Sequence, residues 1–206
     1  MKGKFIVLEG GDGAGKSTVA AFLKKECSKE SVLVTRAGGS PFGEKVRALF
    51  VSDGAGTATP ESRFALAFAA QADHVRQVVT PALAKGEQVI SDRLDASIFA
   101  YQVCAEKREE QLAELFWRTR NALFLDTVPD LYIFLDVATE EGFNRARKDG
   151  RTFDHFEKRP TDFHRRVREG YIEFFKQVSH VIVDANRPLE TVQKEVLAII
   201  RKEIKV

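Results

Sequence analysis

Apolar residues fall along this chain in two rhythms. Short runs, Phe5-Ile-Val-Leu8, Val32-Leu-Val-Thr35, Glu87-Gln-Val-Ile-Ser91, Leu131-Tyr-Ile-Phe-Leu-Asp136 and His180-Val-Ile-Val-Asp184, read as five strands. Between them the spacing turns helical. Residues 16–29 place Val19, Phe22 and Leu23 on one face, and a short helix is expected over about 43–51. Thr59-Pro60-Glu61 is a helix start, with a capping hydroxyl, proline at the first helical position and a carboxylate in the first turn, and that helix is predicted to run to Lys85 before Gly86. Two helices fill 95–127 with a break near Glu106, and further helices are expected over 139–148, 161–177 and 188–204. Strands alternating with helices predict an α/β fold: a five-stranded parallel sheet with right-handed crossovers and helices on both faces.

The chain has 206 residues, 44% apolar and 30% charged, enough to bury a full core as one domain spanning 1–206. Its 32 basic residues nearly balance 30 acidic ones. No overall field favours nucleic acid or an anionic membrane, so any phosphate affinity is local. No stretch reads as a signal peptide or a membrane span, and a cytoplasmic location is expected. Cys27 and Cys104 are too few and too far apart for a zinc site or redox pair, and read as packing residues.

The first strand breaks into Gly10-Gly11-Asp12-Gly13-Ala14-Gly15-Lys16-Ser17-Thr18. Gly, four residues, then Gly-Lys-Ser is the pattern of a phosphate cradle, here with a β-rich run before it and a helical one after it. Gly10, Gly11, Gly13 and Gly15 let the backbone take positive φ and turn N–H groups toward an anion. The following helix adds unpaired N–H groups and a positive dipole end. Lys16 supplies a full charge for β and γ phosphates, and the Ser17 hydroxyl can ligate the Mg²⁺ that travels with ATP. Binding of a nucleoside triphosphate is the expectation.

Other chemistry clusters at the carboxyl ends of the strands, the edge where open parallel sheets bind ligands. Arg36 follows the second strand, and Asp92-Arg93 closes the third. Asp92 is placed to hold a water of the Mg²⁺ shell and Arg93 to bridge donor and acceptor phosphates. Residues 148–160, from Lys148 through Arg151, His155 and Arg159 to Pro160, mix cations with Gly and Pro as a lid over phosphates would.

Together these stretches resemble the thymidylate (dTMP) kinases, over essentially the whole chain. The carboxylate inside Gly11-Asp12-Gly13 is similar to that family's loop, and Asp92-Arg93-Leu-Asp-Ala-Ser97-Ile-Phe-Ala100-Tyr101-Gln102 fits its Asp-Arg-x-x-x-Ser-x-x-Ala-Tyr-Gln. Gly38-Gly39 with Glu44-Lys45-Val46-Arg47, Pro129-Asp130-Leu131, Val167-Arg168-Glu-Gly-Tyr171 and Asp184-Ala185 resemble further family segments. The resemblance implies a P-loop kinase three-layer sandwich, ATP with Mg²⁺ as phosphoryl donor, dTMP as acceptor, and a homodimer, for which the small apolar stretch of residues 64–72 offers a face. It further implies ATP contacts at residues 10–18, Arg145 and Ala185. Acceptor contacts fall at Asp12, Arg36, Arg47, Phe68, Gln71, Arg93, Ser97 and Tyr101. Transfer would rest on Lys16, Asp92, Arg93 and Arg151, with Ser17 and Asp92 at the metal.

Three departures bear on the acceptor. The family commonly has Arg-Glu-Pro-Gly-Gly where this chain has Arg36-Ala37-Gly38-Gly39. On the long helix the family's stacking Phe and base-binding Arg fall, counting back from Val75 and Pro81, on Ala67 and Gln71, with Phe68 and Arg76 out of register. In the lid the family's Asp-Arg-x-Glu reads Asp154-His155-Phe156-Glu157, so a permanent cation has to come from Arg147, Lys148, Arg151 or Arg159. Two other readings stay open: a family relative acting on another nucleotide or nucleoside, and a protein that binds ATP without passing phosphate on.

Overall fold

The computed structural model describes residues 3–27, 30–148 and 153–204. Its strands are β1 (Phe5–Gly10), β2 (Val32–Arg36), β3 (Gln88–Asp92), β4 (Leu131–Asp136) and β5 (His180–Asp184). They form one parallel sheet in the order β2-β3-β1-β4-β5. The expected α/β sandwich is what forms.

Position in the sheet explains the strand sequences. β1 is buried along its whole length, whereas the edge strands β2 and β5 are mostly half-exposed or exposed. Alternation then divides the apolar residues between two faces. Phe5, Val7, Val89, Tyr132 and Phe134 join one core; Ile6, Leu8, Ile90, Ile133 and Leu135 join the other.

The helices are α1 (Lys16–Glu26), α2 (Pro41–Val51), α3 (Asp53–Gly56), α4 (Pro60–His74), α5 (Thr80–Ala84), α6 (Asp95–Ile98), α7 (Glu109–Phe124), α8 (Thr139–Lys148), α9 (Thr161–Phe175) and α10 (Leu189–Ile204). Helices α1 and α10 cover the second core, while α4, α6, α7 and α9 cover the first. Ser40 and Thr59 cap α2 and α4, each side chain accepting a backbone N–H of the first turn.

The single helix expected from 60 to 85 is interrupted. A π-helical turn, Val75–Val79, separates α4 from α5. Pro81 has no N–H, and its ring would collide with the Gln77 carbonyl of a regular helix, so a wider turn ahead of it relieves both defects. A second π-helical turn, Phe99–Cys104, extends α6. Helix α9 crosses it at Gly170, where a Cβ would come within 2.9 Å of the Ala100 Cα. The register of the sheet brings Arg36, Gly10, Asp92, Asp136 and Asp184 to one edge, and the site is built there.

Candidate active site

The loop after β1 has the geometry of an anion cradle. Gly13 and Gly15 lie at φ 74° and 84°, and a Cβ at Gly13 would fall 2.0 Å from the Gly142 carbonyl oxygen of α8. Any other residue at 13 is excluded by strain and by contact together. Gly11 corrects the expectation: it does not take positive φ, and a Cβ there would meet nothing within 4 Å. Helix α1 begins without a side-chain cap, so its first N–H groups point at whatever anion the loop holds. Lys16 is buried, and its Nζ donates to the Gly11 carbonyl at 2.7 Å. Burial and the Arg93 guanidinium bring its pKa down to about 8, against the pull of Asp12, Asp92 and Glu9.

Arg93 is the hub between this loop and the rest of the cavity. It is a non-glycine residue at φ 67°, a conformation costing about 1–3 kcal/mol that persists only where surrounding bonds fix it. Those bonds are present: its backbone N–H donates to Leu8 at 2.9 Å and its carbonyl accepts from Ser91 at 2.8 Å. The side chain donates to Gly10 O (3.1 Å), Ser97 Oγ (3.0 Å), Tyr171 Oη (2.9 Å) and Asp12 Oδ1 (2.9 Å). Tyr101 donates to the other Asp12 oxygen at 2.9 Å. Burial opposes the Asp12 charge, but Arg93 and Lys16 outweigh it and hold the carboxyl below its ordinary range.

Beneath this group sits Glu9, which no sequence pattern singles out within an apolar strand. It is fully buried and accepts from Leu94 N (2.8 Å), Ser97 Oγ (2.7 Å) and Tyr171 Oη (3.2 Å). Burial pushes its pKa up to about 7, with Arg93 and Ser97 pulling the other way. The folded state binds a proton that the unfolded chain releases near pH 4.5, so Glu9 favours folding below pH 4.5 and that contribution is lost as pH rises to about 7. Glu9→Gln, neutral and of the same shape, is expected to gain ~3 kcal/mol in unfolding free energy over the wild type between pH 4.5 and pH 8. Urea unfolding at both pH values measures it; a constant gap across that range would place the Glu9 pKa near its ordinary value.

Ser17 and Asp92 meet at the mouth of the cradle, the hydroxyl donating to Asp92 Oδ2 at 2.9 Å. Asp92 Oδ1 is buried and has no hydrogen-bond partner. A hydroxyl and an unpaired carboxylate oxygen suit a hard divalent cation that takes its other ligands from water and phosphate. The expected metal pair is thus brought together.

A cavity of about 930 Å³ runs from Lys16 and Ser17 past Asp12 and Arg93 to Arg47, Ala67, Gln71, Ser97 and Tyr101. Arg47 is a further cation here, its pKa lowered by burial and by Arg93 and Arg36. Ala67 and Gln71, the positions reached by counting along the helix, both line the cavity. Phe68 does not line the cavity: being one residue on, it turns into the core, 4.9 Å from the Phe64 ring and 5.5 Å from Phe116. Arg36 also lies outside the lining, paired with Glu44 at 2.5 Å on an exposed face. Two rings that the sequence reading missed stand at this end, Phe50 of α2 and Phe156 of the lid segment, 5.2 Å apart. No local pattern links them, since 106 positions separate them in the chain.

At the opposite end Arg145 reaches across from α8, donating to Ala185 O at 2.7 Å and Asn186 O at 3.2 Å. Arg145, Asn186, Arg187, Pro188 and Leu189 line the cavity, while Ala185 is buried behind them. Of the lid cations, Arg151 and the Lys148 side chain fall outside the described residues. Arg147 is exposed on α8. Arg159 is drawn off to Glu106 (3.0 Å) and to the face of Phe163. His155 bonds the Phe50 carbonyl through Nε2 at 2.9 Å.

A β-strand, glycine loop and helix holding Lys16, opening past Arg93 to the Arg47–Gln71 end of the same cavity, define a protein of the P-loop phosphotransferase class. Sequence comparison narrows the class. The family model for thymidylate kinase matches residues 8–196. The chain is 39% identical to the thymidylate kinase of Nitrosospira multiformis over 202 residues, covering 95% of this chain and 96% of that one. It is 38% identical to that of Methylobacillus flagellatus, covering 98% of each, and 37% to that of Pelotomaculum thermopropionicum, covering 96% and 92%. This chain belongs to the thymidylate kinase family. Among its described residues no helix is long and apolar enough to cross a membrane.

Proposed function

We propose that this chain transfers the γ-phosphoryl group of ATP to dTMP, giving ADP and dTDP. The observation that carries the reading is the single cavity in which the phosphate loop and the Ala67–Gln71 face of α4 open to each other, with Arg93 and Asp12 between them. Membership of the family supplies the substrates.

The roles follow from placement. Backbone N–H groups of residues 11–18 and the Lys16 ammonium hold the donor phosphates. Ser17 and Asp92 would hold Mg²⁺ and its water shell, and the ion would supply positive charge against the donor phosphates. Arg93, fixed by four acceptors, spans the space between donor and acceptor phosphates, and Arg47 offers a second cation on the acceptor side. Little covalent chemistry falls to the protein, because alignment and charge carry this transfer. Asp12, fastened by Arg93 and Tyr101, presents a carboxylate to the acceptor. Arg145 and the Asn186–Leu189 loop hold the adenosine end. A lid over 148–160 with Arg151 as its cation belongs to the proposal on the sequence pattern alone, Arg151 lying outside the described residues.

A coupled ADP-release assay over dTMP, dUMP, dCMP, dAMP and dGMP tests the reading. Turnover of dTMP with the highest kcat/KM is the expected result, and a higher kcat/KM for another base would overturn it. A homodimer joins the proposal. Helices α2 and α4 carry neighbouring exposed apolar positions, Phe42, Leu49, Ala65 and Ala69, and sedimentation equilibrium decides it.

A further inference from the structure

Arg93 makes three of its four side-chain hydrogen bonds through one nitrogen, and two of those acceptors are hydroxyls. Nη1 donates to Gly10 O (3.1 Å), Ser97 Oγ (3.0 Å) and Tyr171 Oη (2.9 Å), and Nη2 to Asp12. A carbonyl can only accept, but a hydroxyl can turn either a lone pair or its hydrogen toward a neighbour. Arginine only donates, so Ser97 and Tyr171 hold the guanidinium only while their own hydrogens point elsewhere.

Glu9 decides where those hydrogens go. Ser97 Oγ and Tyr171 Oη lie 2.8 Å apart, so one hydrogen sits between them and the other needs a second acceptor. Glu9 Oε2 is that acceptor, 2.7 Å from Ser97 Oγ and 3.2 Å from Tyr171 Oη. Three oxygens share two hydrogens, and the carboxylate is the member that carries none. Ser97 donates to Glu9 and Tyr171 to Ser97, or Tyr171 donates to Glu9 and Ser97 to Tyr171. Both arrangements leave each hydroxyl a lone pair for Arg93. Glu9 and Tyr171 are completely buried, so bulk water cannot take a displaced hydrogen.

The other Glu9 oxygen is engaged twice, accepting from Leu94 N at 2.8 Å and Ser97 N at 3.3 Å. Leu94 follows the left-handed Arg93, whose own N–H goes to the Leu8 carbonyl. Consecutive residues of β1 thus fasten consecutive residues of the turn. With Oε1 occupied, a proton added to Glu9 goes to Oε2. The same three oxygens then hold three hydrogens, and the O–H oxygen of a carboxylic acid is a poor acceptor. One hydrogen of Ser97 or Tyr171 is left to face the guanidinium, donor against donor.

We propose that Glu9 is a positioning residue for phosphoryl transfer: its carboxylate draws the Ser97 and Tyr171 hydrogens away from Arg93, so that both hydroxyls accept from the guanidinium and fix it between the two substrates. This inference rests on the kinase reading above and deepens it. The titratable groups facing Glu9 are Arg93 and Asp95 from the segment after β3, Lys16 from α1 and Tyr171 from α9. Asp95 is itself paired with Arg120 and accepts from Tyr132 at 2.7 Å. Burial and the Glu9 charge keep the Tyr171 phenol protonated, so its hydrogen is always part of the set. The Glu9 carboxyl, lifted to about 7 by burial, is ionised above that pH and protonated below it. Arg93 is therefore held above about pH 7 and released below it.

Steady-state kinetics from pH 5.5 to pH 9, with ATP and Mg²⁺ saturating, compare the wild type with Glu9→Gln. Glutamine keeps an oxygen for the Leu94 and Ser97 N–H groups but places an amide nitrogen where Oε2 stood, a donor at every pH. The ratio of wild-type to variant kcat/KM for the acceptor cancels the ionisation of the acceptor phosphate and of groups common to both proteins. That ratio is expected to stay near 1 at pH 5.5 and to rise about 10-fold or more by pH 9, with KM for ATP changed less than threefold. A residue that only supported the fold would give a ratio independent of pH, so a change of less than threefold across the range would overturn the inference. The acceptor used is whichever monophosphate the wild type turns over best, and failure of the dTMP assignment leaves the measurement intact. Absence of any turnover would remove the kinase reading. The hold on Arg93 is then read by NMR from its side-chain N–H resonances in the ligand-free protein, expected to shift about a midpoint near pH 7 in the wild type and not in Glu9→Gln. Resonances that stay still in the wild type, or move alike in both proteins, would overturn it. Should thermal melting show Glu9→Gln unfolded, Tyr171→Phe decides: it removes one hydroxyl and keeps the carboxylate. Its kcat/KM at pH 9 is expected to fall about 10-fold, and a value within threefold of wild type would sink the proposal.

Discussion

Arg93→Ala is expected to lower kcat by about a thousandfold while ATP affinity changes only a few-fold, since a cation stabilising charge on a transferring phosphoryl group is worth about 10³–10⁵ in rate. The structure gives two reasons for so large a loss. The guanidinium lies between the phosphate loop and the acceptor face, and it is held there by Gly10, Ser97, Tyr171 and Asp12 before any substrate arrives. Such a group needs little reorganisation during the reaction, so its interaction is strongest in the transition state. Burial disfavours the charge, but Tyr171, Tyr101, Asp12 and Glu9 more than restore it, and Arg93 stays ionised. Alanine also strips the buried Glu9 and Asp12 of their partner, so part of any loss is stability. Arg93→Lys separates the effects. It keeps a charge but loses the fork that spans several acceptors, and kcat is expected to fall about 100-fold or more with the thermal midpoint largely kept. Steady-state kinetics beside a melting curve reads both; a deficit confined to KM would remove Arg93 from the transfer step.

Lys16→Met should abolish measurable ATP binding and bring a second, less obvious change. Burial and Arg93 hold the ammonium pKa near 8 in the free protein. A triphosphate alongside restores the charged form, so nucleotide binding at pH 9 is expected to draw up to about one proton from solution. Calorimetry of ATP binding in two buffers of different ionisation enthalpy measures that uptake. At pH 6.5, where the free ammonium is already charged, the uptake is expected to vanish. Equal proton release or uptake at both pH values would show that Lys16 does not change state on binding.

The site divides into what local sequence carries and what it does not. The loop of residues 10–18 was legible because glycine spacing, lysine and hydroxyl form one contiguous pattern whose chemistry admits few alternatives. Ser17 with Asp92 was legible for a related reason: strands whose carboxyl ends share an edge bring their last residues together, and β1 and β3 are neighbours. Phe68 shows the opposite case. It is the right residue type one position from the counted slot, yet on a helix one position is about a quarter-turn, enough to move a ring from the cavity into the core. Arg36 was given an acceptor contact by resemblance, and His155 stands in the lid where the family has arginine; in the structure Arg36 pairs with Glu44 and His155 bonds the Phe50 carbonyl.

Sequence by itself determined the sheet, its parallel sense, the phosphate cradle and the family, because apolar periodicity and short-range motifs are properties of neighbours along the chain. Tertiary structure alone decided the left-handed turn that aims Arg93, the burial that lifts Glu9 and the π-helical turn beneath Tyr101 and Gln102. Each of these depends on a partner tens of residues away, a carbonyl, a guanidinium or a crossing helix, whose approach only the packed fold defines.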